Sequence, residues 1–248
     1  MKFKDLIMGF LIIAVILLVG FYVHQQAGRR TNRELARRIN ELSPRGGPPQ
    51  TIEGLRKAIA LYEDQIERNV REGAQTGAYW KILAIRLADR GMHNDALDAF
   101  ERAIYFNTED ASLFYLTGVS AGHVAKSIVG FSPDSNAQRE HFLRLSENAY
   151  LRAIELDNRY TRPLYGLGVL YVFELDRPAE AIPYLERLLE ILSTDFSAMF
   201  VLARAYFMTG DFYNATELYD RIISRTRDAR MRQEAVNNRE IISRMLYE

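Results

Sequence analysis

The chain has 248 residues, with 32 basic and 32 acidic side chains, no cysteine and 48% hydrophobic residues. A formal net charge of zero lacks the basic excess that is typical of nucleic-acid-binding proteins. The absence of cysteine excludes disulfide bonds, thiolate zinc sites and cysteine nucleophiles. Charged residues make up only 26% of the chain, which argues against disorder. At about 150 residues per domain, this length fits one large domain or a repeat array.

Residues 1–28 are predicted to form an N-terminal transmembrane anchor. Leu6 to Val23 is an uncharged run, and a membrane-spanning helix needs roughly 17–25 mostly apolar residues. No small-x-small cleavage site follows the run, which argues against a secretory signal. We therefore expect a single-pass membrane protein, in the bacterial inner membrane. The arginines that follow the run favour a cytoplasmic domain, whereas the lysines that precede it are typical of a signal anchor, so the orientation stays open.

Residues 29–50 are predicted to be a juxtamembrane helix followed by a linker. Leu35, Ile39 and Leu42 recur at helical spacing. The segment 43–50 is rich in proline and glycine, which end a helix and favour turns.

Residues 51–76 are predicted to form a half-repeat helix. Thr51 is a suitable N-cap residue. Apolar residues then recur at helical spacing, at Leu55, Ala58, Ile59, Tyr62 and Ile66.

From residue 77 to about 228, a spaced pattern of large and small residues repeats. Trp80, Leu83, Ala84, Leu87, Gly91, Ala96, Phe100 and Ala103 recur at the same offsets as Met199, Leu202, Ala203, Tyr206, Gly210, Ala215, Tyr219 and Ile222. Two further stretches, which begin near Phe114 and Leu164, carry part of the pattern. The pattern resembles the tetratricopeptide repeat (TPR), a unit of two antiparallel helices. The resemblance implies an all-α fold, a right-handed α-solenoid of helix hairpins, here preceded by one transmembrane helix.

The resemblance also implies packing roles for twelve residues. Small residues lie where two helices approach closely, and aromatic residues fill the space between units. These residues are Trp80, Ala84, Ala96, Phe100, Gly118, Tyr150, Gly168, Tyr171, Ala203, Tyr206, Ala215 and Tyr219. The array departs from the family at an insert of about residues 123–146, which we expect to lengthen one hairpin. Residues 229–248 are predicted to be a C-terminal capping helix.

The sequence offers no pattern for catalysis or metal binding. No two of the four histidines are spaced to share one face of a helix. Gly166 and Gly168 form a lone Gly-x-Gly without the strand and third glycine of a nucleotide-binding loop. We expect no enzymatic activity, no catalytic residues, no cofactor and no metal.

The resemblance implies that a concave groove, lined by the first helix of each unit, binds a protein partner. The lining residues are Lys81, Ile85, Tyr115, Val119, Tyr165, Val169, Val172, Phe200, Arg204 and Phe207. This mostly apolar row suits an amphipathic helix or an extended apolar segment better than the carboxylate that some family members clamp. An alternative is that the protein's own insert or C-terminal helix fills the groove.

These features favour a membrane-tethered TPR scaffold that assembles or organises a membrane or envelope complex. One alternative is a holding chaperone for hydrophobic segments at the membrane. Another is a protein that binds small apolar ligands in the groove. The partner, the pathway and the oligomeric state are not given by the sequence.

Overall fold

The computed structural model describes residues 51–130 and 132–247, together with Arg37, Arg38, Glu41 and Pro49. The predicted anchor and most of the predicted juxtamembrane segment lie outside these residues. Within the described part of the chain, every regular element is an α-helix. Between residues 51 and 247, the helices are α1 Ile52–Asp89, α2 His93–Phe106, α3 Ala111–Ser127, α4 Pro133–Leu156, α5 Thr161–Phe173, α6 Pro178–Ile191, α7 Phe196–Met208, α8 Phe212–Arg225 and α9 Ala229–Tyr247.

No helix among the described residues is both long enough and apolar enough to cross a membrane. The longest of them, α1, has 38 residues but carries charged side chains along most of its length. This finding contradicts the predicted localisation as a single-pass membrane protein of the bacterial inner membrane, and that prediction is wrong. The predicted fold class also included a transmembrane helix, and that part of it is corrected for the same reason. The run from Leu6 to Val23, on which both predictions depended, lies outside the described residues.

The chain divides into two compact units, one ending at Glu72 and the other beginning at Gly73. Helix α1 continues from Ile52 to Asp89, whereas the sequence predicted separate helices on either side of residue 76. The helix contains no proline. An isolated glycine such as Gly73 costs a helix only about 1 kcal/mol relative to alanine, so nothing in this stretch ends the helix.

The second unit is an array of helical hairpins. Helix α3 packs against α4, α5 against α6, and α7 against α8, while α9 packs against α8. The first helices of neighbouring hairpins also meet, because α5 contacts both α3 and α7. This arrangement confirms the all-helical, solenoid-like fold that the repeat pattern predicts.

The α3–α4 hairpin is longer than its neighbours. Helix α4 has 24 residues, whereas α2, α6 and α8 have 14 each. The extra residues belong to the insert predicted at about 123–146. Its turn is capped by Ser132, whose hydroxyl accepts a hydrogen bond from the Ser135 backbone N–H at 3.2 Å.

The turns between helices are fixed by local chemistry. Asp110, Asp195 and Asp211 each cap the helix that follows, since their carboxylates accept hydrogen bonds from backbone N–H groups at 3.0, 2.9 and 3.1 Å. Gly91 and Gly210, which occupy equivalent repeat positions, have φ of 75° and 82°. This left-handed conformation is open to glycine without steric strain.

Two clusters of buried side chains hold the second unit together. The smaller cluster joins α1, α2 and α3 through Ala84, Ala96, Phe100 and Leu113, all of them fully buried. The larger one extends from Ala125 to Ile242 and includes residues of α3 to α9. Its last members lie on α9, which therefore covers the apolar end of the array.

Candidate protein-binding groove

The predicted groove residues lie on α1, α3, α5 and α7, the first helices of successive hairpins. Most of their side chains are half-buried. The reason is that most of them also pack against the larger cluster of buried side chains, which is the main core. The groove residues that do so are Tyr115, Val119, Tyr165, Val169, Phe200 and Phe207. Each such side chain therefore offers a partner only part of its surface.

Two of the predicted groove residues depart from this half-buried state. Val172 is only 4% exposed, because it belongs to the main core. Arg204 is exposed, and its guanidinium lies 5.4 Å from the centre of the Phe207 ring. A cation at this distance is attracted by the electron-rich ring face. Arg204 thus supplies positive charge beside the aromatic part of the row, whereas Val172 supplies packing.

Lys81 is engaged within the protein. Its ammonium group donates to the Asp110 carboxylate and to the Ser112 hydroxyl, both at 2.6 Å. Because Asp110 also caps α3, the lysine ties α1 to the start of α3. The same contacts hold the pKa of Asp110 below its usual value, although burial opposes them. The Lys81 ammonium group is therefore already engaged in contacts within the protein and is not free to bind a ligand.

A small cavity of about 130 Å³ lies where α3, α4 and α5 meet. Val119 and Val169 form apolar walls, and Tyr150 lies beside them. Its charged side contains Glu174, whose carboxylate pairs with Lys126 at 3.2 Å and with Arg139 at 2.7 Å. Both cations come from the lengthened hairpin, so this hairpin contributes to the groove wall.

A second cavity of about 220 Å³ lies at the C-terminal end of the row. Phe200, Arg204 and Phe207 of α7 line one side of it. Helix α9 lines another side with Glu234, Asn238 and Ile241. The C-terminal helix thus borders this part of the groove and leaves space beside the aromatic side chains.

Several tyrosines near the groove remain neutral phenols. Burial and the charge of Asp195 raise the pKa of Tyr165. Burial also raises the pKa of Tyr219, against the opposing charge of Arg204. A neutral phenol presents an apolar ring with a hydroxyl that can donate and accept. The tyrosines therefore support apolar contacts and hydrogen bonds at neutral pH.

The residues with predicted packing roles are mainly buried. Trp80 and Tyr206 are the exceptions, being partly exposed. The two glycines lie at close helix contacts. A Cβ atom at Gly118 would lie 2.6 Å from Tyr150 Cε1, and one at Gly168 would lie 2.5 Å from Leu185 Cδ2. These distances leave no room for a side chain.

Some site features have no clear signal in the sequence. Glu147 accepts hydrogen bonds from the Tyr171 hydroxyl at 2.9 Å and from Arg177 at 2.7 Å. These residues come from α4, α5 and the turn before α6, and sequence spacing does not bring them together. A place for the C-terminal helix at the groove was predicted only as an alternative, and the sequence did not indicate that Glu234, Asn238 and Ile241 would line it. Only the Arg177–Glu180 pair, at i,i+3, is visible in the sequence.

A larger cavity, of about 570 Å³, lies between α2 and α4. Asp98 and Glu101 line its α2 side, and His141 and Arg152 line its α4 side. Phe114 of α3 also lines it, with Arg152 positioned 5.9 Å from its ring centre. The predicted groove residues take no part in this cavity, so it is separate from the groove.

Comparisons with known proteins agree with this architecture. Residues 172–234 match the tetratricopeptide repeat family model. A TPR repeat-containing protein of Borreliella burgdorferi is 22% identical over 211 residues, which cover 85% of this chain and 90% of the relative.

Solved structures share the fold. YrrB, described as a TPR protein with an unusual peptide-binding site, gives a TM-score of 0.55 at 18% identity, covering 71% of this chain and 80% of YrrB. A tetratricopeptide repeat protein from Parabacteroides merdae gives 0.54 at 13% identity, covering 86% and 74% of the two chains. TTC0263 from Thermus thermophilus gives 0.52 at 17% identity, covering 73% and 88%. The chain is thus similar to the tetratricopeptide repeat family over residues 172–234, and it shares the helical repeat fold of these solved structures.

Proposed function

We propose that this protein is a non-catalytic scaffold that binds a protein partner in the groove formed by α3, α5 and α7. The observation that carries the proposal is the row of half-buried apolar side chains along these helices, from Tyr115 to Phe207. Apolar side chains at successive helices suit an amphipathic helix or an extended apolar segment. By bringing partners together on one array, the protein serves to assemble or organise a complex.

The charges around the groove support a defined orientation of the partner. Lys81 is held by Asp110 at one end, while Arg204 is exposed at the other. A partner with an acidic residue beside its apolar contacts gains a charge-assisted hydrogen bond at Arg204. The likeness to YrrB, described as having a peptide-binding site, agrees with this kind of partner.

The groove supports a protein partner better than a small apolar ligand. Ligand pockets usually measure about 300–1,000 Å³. The two cavities along the groove measure about 130 and 220 Å³. Each accommodates one or two side chains of a longer segment, which is how a peptide gains affinity along a groove.

A site-specific cross-linking experiment tests the groove. A photoreactive amino acid replaces Phe200 in one form of the full chain and Tyr213 of α8, which is 79% exposed, in another. We expect one discrete adduct from position 200 and none of the same mass from position 213. Equal labelling from both positions would contradict binding in the groove.

Substitution then tests the energetic role of the same surface. We expect Tyr165→Ala combined with Phe200→Ala to abolish recovery of the cross-linked partner while circular dichroism shows unchanged helical content. If the double variant unfolds, these two side chains are mainly core. The variant Arg204→Glu then takes the place of the double variant in the test, because the Arg204 side chain is exposed and is not needed for packing. Full partner recovery with Arg204→Glu would overturn the proposed orientation.

A further inference from the structure

The first unit leaves a stripe of apolar side chains in contact with solvent. Ile52, Leu55, Ile59, Tyr62 and Ile66 of α1 are each between 42% and 73% exposed. Single exposed apolar residues are ordinary, but a continuous row marks an interaction surface. We call this row of five residues the α1 stripe.

The spacing of the α1 stripe is that of a coiled-coil seam. Successive members lie 3, 4, 3 and 4 residues apart, which is the heptad pattern that keeps one face of a helix against a partner helix. The next two heptad positions are Asn69 and Gly73, so the apolar seam ends there. Within this unit, the seam is therefore a short one of about two heptads.

The charges of this helix fall into two groups. Away from the α1 stripe, neighbouring side chains pair with one another, as in Lys57–Glu53, Arg68–Asp64 and Arg71–Glu67. Arg56 and Glu63 instead flank one edge of the stripe, and neither forms an ion pair among the described residues. The opposite edge carries Ala58, which is buried, and Gln65, which is half-buried. Neither residue has a charge.

We propose that α1 pairs with α1 of a second copy of this chain as an antiparallel coiled coil along the α1 stripe. In the best register, Leu55 packs against Ile66 of the partner subunit and Ile59 packs against Tyr62 of the partner subunit. The two-fold axis then generates the reciprocal pairs, as in any isologous dimer. This register buries the central part of the seam from both copies.

Charge complementarity selects the antiparallel arrangement. In an antiparallel coiled coil, the residues flanking one edge of a seam meet the same edge of the partner, so Arg56 meets Glu63 of the partner subunit twice in each dimer. In a parallel, in-register pair, the residues at one edge of the seam instead meet the residues at the opposite edge of the partner's seam. Arg56 would then meet Thr51 and Glu63 would meet Ala58, so no charge pair would form. Neither Ala58 nor Gln65 has a charge, so the opposite edge forms no ion pair in either direction.

The experiment measures self-association of the full chain by sedimentation equilibrium across a wide range of protein concentration. We expect a monomer–dimer equilibrium for the unmodified chain. Arg56→Glu and Glu63→Arg should each weaken the dimer at least tenfold, because each replaces two attractive contacts with two repulsive ones. The combined variant with both substitutions should restore the dissociation constant to within about threefold, because the pairs re-form with reversed signs.

Two controls make the outcome decisive. Arg71→Glu makes the same charge change outside the seam and should leave the dimer unchanged. Ile59→Lys places a charge in the seam and should give a monomer with unaltered helical content, since this side chain is already 54% exposed.

A chain that stays monomeric at all concentrations overturns the proposal. So does a dimer that the charge swap fails to restore. Groove variants such as Arg204→Glu should leave this dimer intact, so the two proposals fail separately.

Discussion

The imidazole rings of His93 and His123 stack with their centres 4.3 Å apart and their planes 5° from parallel. His93 begins α2, and His123 lies near the end of α3. The Nδ1 atom of His93 is buried and has no hydrogen-bond partner among the described residues. Burial, together with the charge that His123 carries when protonated, lowers the pKa of His93 below its ordinary value.

This stack predicts a loss of stability in mild acid. Because the pKa of His93 is lower in the folded chain, the unfolded chain binds more protons once the pH falls below about 6.5. The free energy of unfolding therefore decreases as the pH falls from that value through the lowered pKa. His93→Phe keeps a flat ring over His123 but does not titrate. We expect the variant to lose less stability than the unmodified chain between pH 7.5 and pH 5, as measured by urea unfolding. Equal losses in the two proteins would contradict the role of His93.

Gly118 is expected to be intolerant of any side chain. A Cβ atom at this position would lie 2.6 Å from Tyr150 Cε1, and the tyrosine is itself buried. Overpacking of this kind typically destabilises by about 1–3 kcal/mol. Gly122 lies one turn further along α3, where a Cβ atom would make only an ordinary contact, 3.7 Å from Ser146 Oγ. We expect Gly118→Ala to lower the urea midpoint and Gly122→Ala to leave it unchanged or raise it.

Ala96 and Ala215 occupy equivalent repeat positions, and both are fully buried. Leucine at either position has no space to occupy, so we expect Ala96→Leu and Ala215→Leu each to destabilise the fold by about 1–3 kcal/mol. Ala179 on α6 is exposed, and Ala179→Leu is the matched control. Thermal unfolding followed by circular dichroism measures all three. If both buried variants melt like the control, the repeat positions do not mark close helix contacts.

These equivalences show how much of the fold the sequence reveals. A repeat pattern reports which face of each helix is buried, because the same offsets give Ala84 and Ala203 the same fully buried environment. Periodicity does not report contacts between helices far apart in the chain. The stacking of His93 on His123 depends on how α2 and α3 cross, and no spacing on one helix encodes it.

The groove shows the same limit. The sequence predicts its row of residues on α3, α5 and α7, but a burial pattern does not distinguish a groove side chain from a core side chain on the same face. Val172, for example, was predicted to line the groove, but its side chain belongs to the core. Likewise, Lys81 has a charge that favours ligand binding, and only the position of Asp110 in space shows that it is already engaged.

Gly91 and Gly210 test the backbone rather than the packing. Both have a positive φ, and no atom lies within 4 Å of the place where a Cβ would be. Substitution therefore adds no clash with a neighbouring group, and its cost comes from the left-handed conformation, about 1–2 kcal/mol for an ordinary residue. We expect Gly91→Ala and Gly210→Ala to lower stability by similar amounts. Asparagine, which tolerates this conformation better, should cost less than alanine at both positions. Urea unfolding of the four variants measures the order, and an asparagine variant less stable than its alanine counterpart would show that contacts, rather than φ, set the preference for glycine in these turns.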